Sequence, residues 1–274
     1  MPFSTASLPA AFQSGARKIK HVVFDFDGTL SWLRHGWPDM MLDVFARHLP
    51  PAPPDARDST RAELHKMVMA LNGKPTITQI HAFGRYASAN RFEIPEPEEL
   101  RRAYQDTLDE HIAERSARVR SGTVARDAYV VAGARQWLDQ LQSMGLRLSI
   151  LSSTVEHRVR EEATILGLDQ YFEGRIHGSP VDPTGFSKRP VFEKILREEG
   201  IAGEELLSFG DGPAEISDTR HLGGLAIAVC TDEHNNGSGI CDPLKQSQLL
   251  EAGAHFAIPD FSAAPELLAP LFAR

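Results

Sequence analysis

The stretch His21-Val22-Val23-Phe24-Asp25-Phe26-Asp27-Gly28-Thr29-Leu30 (HVVFDFDGTL) decides how the rest of the chain is read. Its opening run predicts a buried strand, and that strand runs out into two acids one residue apart. Side chains at i and i+2 of a strand share a face, on the order of 7 Å apart, so Asp25 and Asp27 repel each other. A positive group is therefore expected beside them.

At 274 residues the chain exceeds the ~150-residue norm for one domain, which implies one large domain or a core with an insertion. Its 42% hydrophobic and 24% charged residues are those of an ordinary globular protein. A formal charge of -8, with no Lys/Arg cluster longer than the Arg101-Arg102 pair, argues against a nucleic-acid partner. A small anionic substrate stays compatible, because a local positive site can form on a negative protein. There is no run of about 18 apolar residues, so no transmembrane helix and no membrane partner is expected. Residues 1–18 lack a leading positive region and an unbroken apolar stretch, and are expected to be a weakly ordered tail rather than a secretory signal. Cys230 and Cys241 are too few for a disulfide framework, so reduced thiols and a cytoplasmic location are expected.

After a strand at 20–25, the segment from Pro38 to about Arg118 carries helical patterns and no strand. Residues 38–49 place Met41, Leu42, Phe45 and Leu49 at helical spacing, and the PPAPP run at 50–54 ends that segment. Further helices are predicted at 58–71, 76–89 and 97–117. From Tyr129 onward helices and strands alternate. Helices are predicted at 133–144, 155–166, 188–199, 213–222, 244–252 and the C-terminus, and strands at 146–151, 206–209, 225–229 and 255–258. Short extended pieces are expected at Tyr171-Phe172 and Arg175-Ile176. Such alternation implies an α/β fold, a Rossmann-like parallel sheet with helices on both faces, interrupted after its first strand by an inserted α-helical domain. The expected boundaries are a core of 19–33 and 122–274 and a helical domain of 34–121.

In open parallel sheets ligands bind beyond the carboxyl ends of the strands. There the first strand carries Asp25 and Asp27, the next carries Ser152-Ser153-Thr154, and a later one carries Gly210-Asp211-Gly212; Lys188 opens the helix between the last two. Acids gathered in a dry cleft raise one another's pKa unless a cation joins them. A hard divalent ion with oxygen ligands, above all magnesium, resolves that conflict. A phosphate monoester suits such a centre, because the metal and Lys188 neutralise its charge. The Ser152 hydroxyl and the N–H groups after it can hold the remaining phosphate oxygens.

DFDGT at 25–29, the strand-end Ser152, Lys188 in SKRP and GDGPAE at 210–215 match, in order and context, the four motifs of the haloacid dehalogenase-like (HAD) hydrolases. The chain resembles that family over nearly its whole core. The resemblance implies that Asp25 attacks phosphorus to form an aspartyl-phosphate, and that Asp27 protonates the leaving alcohol and then activates water. It also implies magnesium held by Asp25, Asp211 and the backbone carbonyl of Asp27. Ser152, Ser153 and Lys188 are the candidate phosphate-binding residues, and Thr29 is expected to support the loop. Many relatives have an Asn-Asp pair where this chain reads Ala214-Glu215. Glu215 is a candidate metal ligand, directly or through water, whereas Asp218 falls three residues farther along the predicted helix. Dehalogenases of the family lack an acid at the position of Asp27, since a halide leaves without a proton, so Asp27 points to phosphoryl transfer. The resemblance thus implies a magnesium-dependent phosphatase acting on a small phosphorylated metabolite, a sugar phosphate or phosphoglycolate-like acid. The alternatives are a phosphomutase and a non-catalytic binding protein on the same fold.

The helical insertion resembles the family's cap, which closes over the site and excludes water. In the break NGKPTITQ at 72–79, Lys74 and Thr76 are candidate substrate contacts; the alternative is a plain turn with Thr76 as helix N-cap. Thr154 competes with Ser152 and also suits the N-cap of the following helix, and Asp211 alternatively caps the helix from 213. Cys230, His234 and Cys241 match no structural zinc spacing and read as part of a Gly/Asn-rich loop.

Overall fold

The computed structural model describes residues 19–72, 75–182 and 185–272. Strand β1 (His21–Phe24) is followed by helices α1 (Trp37–Ala46), α2 (Pro54–Met69), α3 (Thr76–Ala89) and α4 (Pro97–Arg120). Helix α5 (Ala134–Ser143), β2 (Arg147–Val155), α6 (Glu156–Leu166), β3 (Ile176–Ser179), α7 (Arg189–Glu199) and β4 (Leu206–Gly210) come next. Helix α8 (Pro213–His221), β5 (Leu225–Val229), α9 (Pro243–Glu251), β6 (Phe256–Ile258) and α10 (Ala264–Leu267) complete the order. The strands form one six-stranded sheet in the order β3-β2-β1-β4-β5-β6, parallel throughout.

Strands β1, β4 and β5 are buried at every position. A parallel sheet is covered on both faces, which is why these strands read as near-continuous apolar runs without alternation. Phe24 of β1 stacks on Phe209 of β4 with ring centroids 5.0 Å apart, and Trp137 of α5 meets Phe209 edge-on at 6.2 Å. Such aromatic pairs add about 0.5–1.5 kcal/mol each beyond the area they bury.

The chain divides into two compact units, one formed by residues up to Leu33 together with Ser116–Arg274, the other by Arg34–Arg115. The first holds the sheet. The second is helical and has its own core, in which Met41, Leu42, Phe45, Leu64, Val68, Ile80 and Phe83 are buried and Phe45 stacks on Phe83 at 4.1 Å. Within the first unit, the segment leading to the helical unit and the segment returning from it are paired. Ser31 bridges Val130, Trp32 N–H donates to the Tyr129 carbonyl at 2.8 Å, and Val131 N–H donates to the Leu30 carbonyl at 2.9 Å.

Five local expectations need correction. Strand β2 extends past residue 151 to Val155, because Val155 pairs with Ser179 of β3 after a register shift. Thr154 therefore lies in the strand, and α6 starts after Val155 without a side-chain cap. Thr76 is the first residue of α3 and not its cap, a place taken by Pro75. Helix α2 begins at Pro54 inside the proline run, since proline at the first helical position lacks only an N–H that has no partner there. Residues Asp169–Tyr171 form a 3-10 turn instead of an extended piece. Among the described residues no helix is long and apolar enough to cross a membrane.

Candidate functional site

From β1 the chain builds outward through β2 and β3 on one side, then crosses to build β4, β5 and β6 on the other. The order reverses between β1 and β4, and in open α/β sheets ligands bind at that reversal. Phe24 lies opposite Phe209, and the Asp25 N–H donates to the Phe209 carbonyl at 2.8 Å. This register sets Asp25, just past β1, beside the end of β4, where Asp211 follows.

Asp25 Oδ1 accepts the Phe26 N–H at 2.7 Å, and Oδ2 lies 2.9 Å from Lys188 Nζ. The same ammonium is 3.2 Å from Glu215 Oε2. Glu215 Oε1 accepts the Gly212 N–H at 2.6 Å, so Glu215, rather than Asp211, ties down the start of α8. Oxygens of Asp25, Asp211 and Glu215 lie within 4.8 Å of one another. Asp25, Lys188 and Glu215 are only 9%, 5% and 4% exposed, so solvent does little to screen these charges. Asp218 instead faces Arg189 Nη1 at 3.9 Å.

Burial, reinforced by the charges of Glu215 and Asp27 and opposed by Lys188, pushes the Asp25 carboxyl up to about 8. Burial likewise pushes Asp211 up to about 7 against the pull of Lys245. For Lys188 burial works toward loss of the proton, but Asp25 and Glu215 outweigh it and hold the ammonium above the usual lysine range. Carboxylates thus outnumber cations in a site whose donors are all oxygens, the set that suits a hard divalent ion. Gly28 leaves room for one of these donors. Its φ is +73°, and a Cβ there would stand 2.3 Å from Asp211 Oδ2.

Asp27 stands outside the three-acid cluster, and its Oδ2 accepts a hydrogen bond from the Thr154 hydroxyl at 2.8 Å. Ser152 is buried and its hydroxyl oxygen accepts the Thr154 N–H at 3.0 Å. Ser153 is exposed, on the opposite face of the strand from both. The Thr29 hydroxyl is buried without a hydrogen-bond partner among the described residues, and the loop is held by the Leu30 and Ser31 N–H groups on the Phe26 carbonyl at 2.9 and 2.8 Å. Thr76 is half-buried at the start of α3 in the helical unit, and Lys74 lies outside the described residues.

Sequence reasoning passed over Lys245, Glu233 and Thr231. Lys245 Nζ lies 2.5 Å from Glu233 Oε1, 3.1 Å from Thr231 Oγ1 and 3.5 Å from Asp211 Oδ2. The only signal was a lysine three residues after the helix-capping Asp242, in a segment that otherwise reads as loop. Next to Thr231 in the chain, Cys230 is a buried free thiol.

The haloacid dehalogenase-like hydrolase family profile matches residues 19–217. No protein of curated function matches the chain in sequence. Among solved structures, a haloacid dehalogenase-like protein of unknown function from Agrobacterium tumefaciens superposes with a TM-score of 0.66 at 17% identity, covering 92% of this chain and 98% of the other. A predicted phosphoglycolate phosphatase from Haemophilus somnus gives 0.60 at 15% identity, covering 93% and 100%. A HAD family hydrolase from Deinococcus radiodurans, solved with bound phosphate and sodium, gives 0.61 at 17% identity, covering 92% and 96%. At these identities the similarity speaks to the fold.

Proposed function

Because the chain belongs to the haloacid dehalogenase-like hydrolases, we propose that it is a magnesium-dependent phosphatase that hydrolyses a small phosphorylated metabolite through an aspartyl-phosphate on Asp25. The observation that carries this reading is Lys188, fixed 2.9 Å from Asp25 and 3.2 Å from Glu215 where the strand order reverses. Solved relatives described as a predicted phosphoglycolate phosphatase and as a hydrolase with bound phosphate favour the same substrate class.

Asp25 Oδ attacks phosphorus and the bond from phosphorus to the alcohol oxygen breaks, while Asp27 gives its proton to that oxygen. Asp27 then takes a proton from water, which attacks the phosphoryl group and returns Asp25 as a carboxylate. The Thr154 hydroxyl holds Asp27 in one orientation for both transfers. An ammonium has three donors, so Lys188 keeps Asp25 and Glu215 in place with two and offers the third to a phosphoryl oxygen. Ser152, and Ser153 through its backbone, hold the remaining oxygens. Asp25, Asp211, the Asp27 carbonyl and Glu215, directly or through water, would hold magnesium, which would supply charge neutralisation at the transferring group.

Phosphate release from a panel of phosphorylated metabolites and an aryl phosphate tests the assignment. The wild type should turn over at least one of them with magnesium and none with chelator, and Asp25→Asn should reduce turnover to background. Turnover that survives in Asp25→Asn would falsify the role given to Asp25.

A further inference from the structure

Lys245 is 0% exposed, in a structure class where lysines are almost never fully buried unless paired. It also sits in the first turn of α9, the positive end of the helix dipole, where a cation is disfavoured. Both costs are offset only by what its ammonium touches: Glu233 at 2.5 Å, the Thr231 hydroxyl at 3.1 Å and Asp211 Oδ2 at 3.5 Å. The Thr231 hydroxyl in turn donates to the Gly28 carbonyl at 3.1 Å, and the Gly28 Cα packs so tightly on Asp211 Oδ2 that no Cβ would fit. One carboxylate oxygen of Asp211 is therefore enclosed between the Gly28 backbone and a buried ammonium.

We propose that Lys245 is a positioning residue that engages Oδ2 of Asp211, so that Asp211 meets a bound divalent cation through one oxygen and the site favours magnesium over calcium. The inference rests on the acid cluster being a cation site. Magnesium takes single oxygens at near-octahedral positions, whereas calcium takes more oxygens and readily uses both of one carboxylate. An ammonium on one oxygen of Asp211 disfavours the second mode more than the first. Glu233 and Thr231 hold the ammonium in place, and Glu233 balances its charge.

Titration calorimetry of chelator-stripped protein with magnesium alone and calcium alone tests this. The charge-balanced variant Lys245→Met with Glu233→Gln removes the ammonium without adding net charge. The ratio of the calcium to the magnesium dissociation constant should fall about tenfold in it, the lower end of the effect of residues behind metal ligands. A merely structural role would weaken both ions alike and leave the ratio unchanged, and an unchanged ratio in the folded variant overturns the proposal while the cation site stands. If the wild type takes up neither ion, the cation-site reading itself fails. Should the double variant not fold, Thr231→Val, which removes the hydroxyl that holds both Lys245 and the Gly28 carbonyl, should shift the ratio in the same direction by a smaller factor; no shift there is equally decisive against it.

Discussion

The two ends of β1 treat a buried base in opposite ways. At the amino end His21 is fully buried, with Nε2 2.8 Å from the Ser149 hydroxyl and Nδ1 without a hydrogen-bond partner among the described residues. Burial pushes its pKa down to about 4, against the pull of Glu199. At the carboxyl end Lys188 is nearly as deeply buried, yet two carboxylates in contact keep it charged. Depth alone does not decide whether an interior base is ionised; the acids that reach it do. The sheet thus carries a neutral polar pair at one end and a dense ionic cluster at the other, joined by the same strand.

Removing the cation from the ionic end should have the largest effect. Lys188→Met leaves Asp25 and Glu215 facing each other, and kcat for phosphate release should fall about 10²–10³-fold, the range for losing a charge-stabilising group. Steady-state kinetics on the substrate found by the panel would check it, and an unchanged kcat would mean that the Lys188 charge is not needed at the site.

At the neutral end the effect should be on stability and should depend on pH. His21 has a folded pKa below its unfolded one, near 6.5. As pH falls below that value the unfolded chain takes up a proton that the folded chain refuses, so stability declines through the window down to about 4. Urea unfolding should show His21→Gln losing less stability than the wild type, by about 2 kcal/mol, between about pH 7 and about pH 5. Equal losses in the two proteins would mean that His21 is not held neutral.

A smaller change sharpens the account of the ionic end. Thr154→Val removes the hydrogen bond that orients Asp27 and leaves the Lys188 cluster intact. It should lower kcat about tenfold, the worth of one hydrogen bond to a charged group, with KM little changed. A rise in KM at constant kcat would move Thr154 from proton transfer to substrate binding.

The sheet was legible in the sequence because its central strands are short, largely apolar runs. The same feature locates Asp25, Asp27 and Asp211, which follow strands directly, and Lys188, which opens a helix. Thr154 was harder to read. The length of β2 past its apolar run depends on Val155 pairing with Ser179, a contact with a strand more than twenty residues on. Lys245 and Glu233 were illegible for a similar reason. Nothing local marks a lysine at a helix start as buried, and only the folded chain brings Asp211 and Glu233 to it. The Ala214-Glu215 departure left the part played by Glu215 open, and the structure links that residue to Lys188 and Gly212 at once.

The paired segments at Leu30 to Trp32 and Tyr129 to Val131 have a consequence for how such a chain diverges. The α/β unit already holds the two ends of the insertion together, so added or deleted helix changes the entropy of loop closure only with the logarithm of its length. Ends held close together are also where foreign segments are tolerated. The inserted helices can therefore be resized as a cassette without unpairing the strands that carry Asp25 and Asp211.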